Sequence, residues 1–235
     1  MSGRTGAADV RDVYQRLFDA YGPQRWWPGD TPFEVIVGAI LTQSAAWTNV
    51  EKAVANLKAA GALSPEGIDR LDEADLARLL YPAGYYNAKA RKLKAIVALV
   101  ADRFGGDLDR LLVAPVEELR PLLLATHGIG PETADSILLY AAGRPVFVVD
   151  AYTRRLLARL AIEPATDGYE SWRSLFESAL PEDAALFNEY HALIVRHGKE
   201  RCRRQPLCEG CPLLDVCPTG QAGTSRRPQP AIIEL

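Results

Sequence analysis

Long apolar runs are the first thing missing from this 235-residue chain. No stretch approaches the ~20 residues of a membrane span, and the opening MSGRTGAADV has no apolar segment of a signal peptide. A cytoplasmic location is expected, nucleoid-associated if the source is bacterial, with no membrane partner. An excess of one charge is missing too: 27 Lys and Arg stand against 30 Asp and Glu, a net charge of -3. That balance excludes a chain drawn to nucleic acid or anionic lipid by its overall field, so an anionic partner has to be held by local basic surface. Histidine occurs three times and cysteine four times. The remainder, 48% hydrophobic and 24% charged, is that of a folded chain and excludes disorder and collagen-like repeats.

What is present is helical periodicity. Val10, Val13, Tyr14, Leu17, Phe18 and Tyr21 form one apolar stripe, and Val50, Ala53, Val54 and Leu57 another. Similar stripes run through Leu93, Ile96, Val97 and Val100, and through Thr133, Ala134, Ile137, Leu138 and Ala141. The fold class expected is all-α. Val146 to Val149 is the one strand-like run, and with no second run to pair with it reads as an extended connector. Pro23, Pro28 and Gly29 precede an apolar helix from Phe33, Gly105 and Gly106 follow a helix ending near Phe104, and nothing repeats at a fixed period. From Thr219 onward large apolar residues are scarce, which predicts a mobile tail.

Leu122, Leu123 and Leu124 lead into Gly128-Ile129-Gly130, and a new helix starts at Pro131, a favoured first helical position. This is the pattern of a helix-hairpin-helix. Its glycines permit close backbone approach, and the amides of the second helix start make a phosphate-sized anion site that needs no lysine. A plain helical hairpin whose glycines only cap and turn fits the same spacing. Nineteen residues past that helix start, Val146-Phe147-Val148-Val149 delivers Asp150 to the start of a helix through Arg154, Leu156, Leu157 and Leu160. Such an Asp caps the helix, and near a DNA-gripping hairpin it also suits the positive charge that develops at a sugar C1′ when a glycosidic bond breaks.

All four cysteines, Cys202, Cys208, Cys211 and Cys217, fall in one 16-residue window spaced C-x5-C-x2-C-x5-C. A shared metal is the natural cause, and four thiolates suit zinc or a [4Fe-4S] cluster. A cytoplasmic setting disfavours disulfides. Over 196–204, at the start of the cluster, Arg196, Lys199, Arg201, Arg203 and Arg204 stand against Glu200 alone. They form either a solvated face or a second contact with a nucleic-acid backbone.

Taken in order, the hairpin G-I-G-P-E-T-A, the Asp after a Val-rich link and the C-terminal four-cysteine loop resemble the endonuclease III superfamily of DNA glycosylases, over roughly residues 10 to 218. The resemblance implies two helical domains flanking a DNA-binding groove. Residues 31-144 form a six-helix barrel carrying the helix-hairpin-helix, 8-30 and 145-218 an iron-sulfur cluster domain, and 219-235 a flexible tail. It implies that the four cysteines ligate a [4Fe-4S] cluster, although their first gap is five residues where the best-known members have six. It also implies a monomer acting on double-stranded DNA with a damaged base. Asp150 matches the catalytic aspartate, and Gly128, Gly130 and Thr133 fall in the hairpin that binds DNA, with Arg201 and Arg203 as further contacts. Gln43, in Leu41-Thr-Gln-Ser44, matches the glutamine that fills the gap left by a flipped base.

Glu132 is the informative departure, because bifunctional members carry a lysine there whose amine forms a Schiff base with C1′. A carboxylate cannot, so a monofunctional enzyme is implied, with lyase activity weak or absent. Trp26, Trp27 and Trp47 read either as ordinary packing or as a base pocket. The segment from Trp26 to Trp47 resembles the 3-methyladenine glycosylase branch, which stacks a methylated purine between aromatic rings; G-Y-Y-N-A-K-A from Gly84 fits too, though it is shared with endonuclease III. An N3-alkylated adenine is cationic, leaves readily and is drawn to an aromatic face. The rival readings are a weak glycosylase for oxidised pyrimidines and a lesion-binding module with little catalysis. His127, His191 and His197 are expected in surface or core roles, His191 packing or hydrogen-bonding near the cluster helix.

Overall fold

A computed structural model describes residues 9–24, 26 and 29–225 of the chain. The helices are α1 (Val10–Tyr21), α2 (Pro32–Leu41), α3 (Trp47–Ala59), α4 (Pro65–Arg70), α5 (Glu73–Leu80), α6 (Tyr86–Phe104), α7 (Leu108–Val113), α8 (Val116–Ala125), α9 (Pro131–Ser136), α10 (Ala151–Arg159), α11 (Tyr169–Glu177), α12 (Ala184–Glu200) and α13 (Pro218–Ser225). Short 3-10 turns lie at Tyr81–Ala83 and Leu214–Val216, and a π-helical turn at Ile137–Ala141. Among the described residues there is no strand, as the periodicity predicts. No helix among them is long and apolar enough to cross a membrane.

Two compact units divide the chain. One takes the contiguous stretch Trp27–Val148 with Asp183–Ala185; the other gathers the described residues of Met1–Trp26, Val149–Glu182 and Leu186–Leu235. The contiguous unit is organised on α2. Thr31 accepts from the Glu34 amide at 3.2 Å and Pro32 opens the helix, so its first turn is capped at both levels. Every residue from Phe33 to Leu41 except Glu34 is buried, as for a helix walled in on all sides. Around it α3, α5, α6, α8 and α9 contribute Val50, Leu57, Leu76, Leu80, Leu93, Ile96, Leu119, Leu123 and Ala134 to one apolar core. Burial at about 25 cal/mol per Å² of apolar surface is the force that assembles it.

The composite unit has an aromatic centre. Tyr190 of α12 is fully buried between Tyr14 of α1 and Phe176 of α11, with edge-on rings at centroid distances of 5.2 and 5.4 Å, and its hydroxyl donates to the Val10 carbonyl at 2.6 Å. Val146–Val149, the expected connector, carries no regular structure but is buried along its whole length.

One expectation needs correction. The flexible tail expected from residue 219 is helical as far as Ser225, in α13. The Cys217 carbonyl accepts from the Gln221 amide at 3.0 Å, the Gln221 side chain donates to the Asp215 carbonyl at 2.7 Å, and the Gly220 amide donates to Cys217 Sγ at 3.3 Å. A helix tied to the cysteine loop by polar bonds needs few large apolar residues, which is why composition misread it. Residues 226–235 of that expected tail lie outside the described residues.

Candidate functional site

In the contiguous unit, α8 and α9 form the hairpin. Gly128 turns the chain at φ +77°, and a Cβ there would sit 2.5 Å from Cγ of Lys92, so both backbone and space demand glycine. Ile129 plugs the turn into the core at 5% exposure. Gly130 caps α9 at an ordinary φ of -92°. The hairpin's two helices are locked by a forked ion pair, Arg120 Nε and Nη2 donating to the two carboxylate oxygens of fully buried Asp135 at 2.6 and 3.2 Å. Glu132 stands exposed in the first turn of α9.

Gln43, just past the end of α2, reaches this hairpin. Its Nε2 donates to Thr133 Oγ1 at 2.8 Å and to the Gly128 carbonyl at 3.2 Å, while its Oε1 accepts a short hydrogen bond from Lys92 Nζ. Gln43, Gly128 and Thr133, singled out separately, are therefore one cluster. Ser44 beside it has a left-handed backbone, φ 53°, uncommon for a residue with a side chain. Fully buried Lys89 of α6 pins the same region, donating to the carbonyls of Leu41 and Ala83 at 2.8 Å each. Burial above all, with the neighbouring Lys92 charge, pushes its ammonium down to about 8.

In the composite unit, Asp150 is the N-cap of α10. Its Oδ1 accepts from the Thr153 amide at 2.7 Å and from the Thr153 hydroxyl at 2.9 Å. Its Oδ2 faces His191 Nε2 at 3.6 Å, a charge-pair distance rather than a hydrogen bond, with side-chain exposures of 13% and 7%. Burial pushes the carboxyl up, but the His191 imidazole and the Thr153 donors together outweigh it and hold it below the usual carboxylate range. Asp150 is thus a nearly buried carboxylate kept ionised.

The four cysteines, all free thiols, line one pocket with Leu156, Arg159, His197, Leu207, Leu213 and Leu214. About 380 Å³ there is free of protein atoms, part of it open to solvent. Burial, then the proximity of the other thiols, pushes Cys211 and Cys217 up, so four thiolates here need a cation to balance them. Arg159 donates to Cys202 Sγ at 3.1 Å, the kind of outer-shell bond that steadies a sulfur ligand. Among the described residues no group of three or more His, Cys, Asp or Glu is placed to hold a metal ion. Arg201 and Arg203 donate to the carbonyls of Glu209 and Lys199 at 3.2 and 3.0 Å, which orders them without neutralising their charge, whereas Arg196 pairs with Glu200.

Of the tryptophans, Trp47 opens α3, lines a groove with Glu34, Glu51 and Lys58, and donates from Nε1 to Glu51 at 2.9 Å. Trp26 lies 5.7 Å beneath the Lys199 ammonium. Trp27 lies outside the described residues. Sequence reasoning missed Lys92, and named His191 only for packing or hydrogen bonding and Tyr85 only within G-Y-Y-N-A-K-A. Tyr85 is 73% exposed and held at φ 47° at the start of α6, an exposed aromatic whose strain no periodicity reveals. Lys92 was legible only as one more cation on α6, and nothing local to His191 ties it to a residue 41 positions away.

Comparison with known proteins fits this geometry. The model of the HhH-GPD superfamily of base excision DNA repair proteins matches residues 37–182. A protein of Methanocaldococcus jannaschii named "Putative DNA repair glycosylase" is 45% identical over 88% of this chain and 95% of its own length. Endonuclease III of Sulfolobus acidocaldarius is 28% identical over 79% of this chain and 81% of its own. Among solved structures, H. pylori 3-methyladenine DNA glycosylase bound to 1,N6-ethenoadenine superposes with a TM-score of 0.72 at 28% identity, covering 82% of this chain and 98% of that one. A non-covalent endonuclease III-DNA complex gives 0.79 at 21% identity, a likeness of fold. A family model matching well over half the chain, and a relative so similar along nearly its whole length, establish that the chain belongs to the HhH-GPD superfamily, the endonuclease III class of base excision repair DNA glycosylases.

Proposed function

We propose that the chain is a monofunctional DNA glycosylase that removes an alkylated purine from double-stranded DNA and leaves the abasic site uncut. The observation that carries this reading is Asp150, nearly buried yet ionised, with one oxygen committed to its helix cap and the other not. A fixed negative charge of this kind stabilises the oxocarbenium-like sugar as the C1′–N bond breaks and its electron pair leaves on the base; water then bonds to C1′ and loses a proton. Glu132 supports the monofunctional part. An imine at C1′ needs an amine, and this position of α9 offers a carboxylate. The substrate class is supported by the likeness to a 3-methyladenine glycosylase and by Trp47, an aromatic ring lining a groove of the contiguous unit. Gly128, Gly130, Thr133, Arg201 and Arg203 would take the phosphates, and Gln43 the gap left by the flipped base.

The four cysteines are assigned to a [4Fe-4S] cluster. The support is that all four sulfurs line one pocket, in a number and with a spacing that such a cluster uses. When bound it supplies structural cross-linking of the loop. Purified protein should be brown and absorb near ~400 nm.

The test is a panel of duplexes carrying methylated purines, 1,N6-ethenoadenine or oxidised pyrimidines, under single-turnover conditions. Release of free methylated base with strand cleavage only after alkali is the expected outcome, and Asp150→Asn should lower the rate by ~10²-fold or more while still binding DNA. A borohydride-trapped adduct would overturn the monofunctional reading. Preference for oxidised pyrimidines would overturn the substrate, and no release from any lesion would leave a binding module.

A further inference from the structure

Asp150 divides its two oxygens between different tasks. Oδ1 is fully engaged by the Thr153 amide and hydroxyl at 2.7 and 2.9 Å. Oδ2 takes no part in the cap and looks toward His191 Nε2 at 3.6 Å, inside an environment that leaves the histidine side chain 7% exposed. His191 comes from the middle of α12, a 17-residue helix whose Tyr190 is anchored in the aromatic centre of the same unit, so the imidazole has little freedom to turn away.

We propose that His191 is a positioning residue for the proposed glycosylase reaction: it fixes the direction of Asp150 Oδ2, the oxygen the helix cap leaves for the substrate. The inference rests on Asp150 being the carboxylate that faces the reacting sugar. A carboxylate held at one oxygen only by its cap pivots about Oδ1; a second, cationic or donor group across from Oδ2 removes that freedom. The groups acting on the carboxyl are His191 from α12 and the Thr153 N–H and O–H from α10, while Tyr169 from α11 accepts from the adjacent Val149 amide at 3.3 Å. His191 also opposes the effect of burial, the largest influence on the Asp150 carboxyl and one that favours its neutral form. Without the imidazole only the Thr153 donors oppose burial, and the carboxyl takes up its proton at a higher pH. His191 is thereby a residue that acts through Asp150 and sets both its aim and the acid side of the pH profile.

The experiment uses the full chain with its cluster. Single-turnover base release from a dimethyl-sulfate-treated duplex is measured between about pH 5 and 8 for wild type, His191→Phe and His191→Gln, together with the ¹³C titration of the Asp150 carboxyl in DNA-free protein. In His191→Phe both the acid limb and the carboxyl titration should move up by about one pH unit, about a ten-fold loss of rate below the limb, with His191→Gln between the two because its amide keeps a donor. Coincident limbs, an unmoved carboxyl titration, or a rate lowered by the same factor at every pH would each overturn the proposal. If His191→Phe does not fold, His191→Gln carries the comparison. If wild type releases no base from any duplex, the glycosylase reading fails, and the carboxyl titration still decides whether His191 controls Asp150.

Discussion

Lys89 shows how a single side chain can stabilise by hydrogen bonding while its charge opposes folding. Its ammonium satisfies the carbonyls at the end of α2 and in the Tyr81–Ala83 turn, yet burial brings it down to about 8 from an ordinary 10.5. Below about pH 8 both folded and unfolded chains carry the proton, and the cost of burying the charge is present in full. Between about 8 and 10.5 the folded chain releases the proton first and the unfolded chain binds more, so this residue's contribution to stability rises with pH across that window and is flat above it. Urea unfolding of wild type and Lys89→Met at pH 7 and pH 10 checks this: the wild-type advantage should grow with pH, and an advantage that shrinks contradicts it. The sequence showed Lys89 only as part of G-Y-Y-N-A-K-A. Its burial was illegible because the two carbonyls that hold it belong to chain 48 and 6 residues away, whereas Asp150 was legible, since capping and its Val-rich approach are both local.

Among elements, the hairpin was the most readable. Leu122 to Leu124, the glycines and Pro131 are local signals, and α8 ends and α9 begins where they say. What they could not show is what holds the two helices together, because a forked pair between Arg120 and Asp135 looks in sequence like two surface charges. Asp135 has 0% exposure and Arg120 15%. Removing the carboxylate alone deletes both forked bonds from a largely closed site, and losing one partner of such a pair costs about 3–5 kcal/mol. Asp135→Ala should therefore lower the melting temperature markedly and weaken binding to undamaged duplex. The double variant Arg120→Met/Asp135→Leu should recover much of the stability. Equal losses in the single and double variants would show that the pair is not what locks the hairpin. The π-helical turn at Ile137–Ala141 and helix α13 had no signal of their own, the first because it is a distortion of an ordinary apolar stripe and the second because its anchors are backbone and sulfur.

At the scale of the molecule the all-α class followed from periodicity, whereas the expectation that the N-terminal helix groups with the C-terminal half rested on the family resemblance. The aromatic centre of the composite unit was not foreseeable, since Tyr14, Phe176 and Tyr190 are far apart in the chain. The cysteine loop is bound to the remainder of that unit through Arg155 and Arg159 of α10, which donate to the carbonyls of Cys202, Arg203 and Arg204 at 2.7–3.0 Å. For the proposed cluster, removal of its iron by a chelator under reducing conditions should lower stability by several kcal/mol, since binding energy at such sites is folding energy. Hydrogen exchange should show the loss first in α10, α12 and α13 and leave α2 to α6 protected. Uniform loss of protection in every helix would count against a local role.

The interleaved order of the two units also dictates a timetable. On a ribosome, nearly all residues of the contiguous unit emerge as one uninterrupted block, and that block can collapse while its neighbour is still being synthesised. The composite unit must wait with α1 stranded, its apolar stripe unsheltered, until α12 and the cysteine loop follow some 170 residues later. Newborn chains should consequently be most vulnerable to proteases and clumping at their front end, with the cysteine loop among the last parts to fold into place.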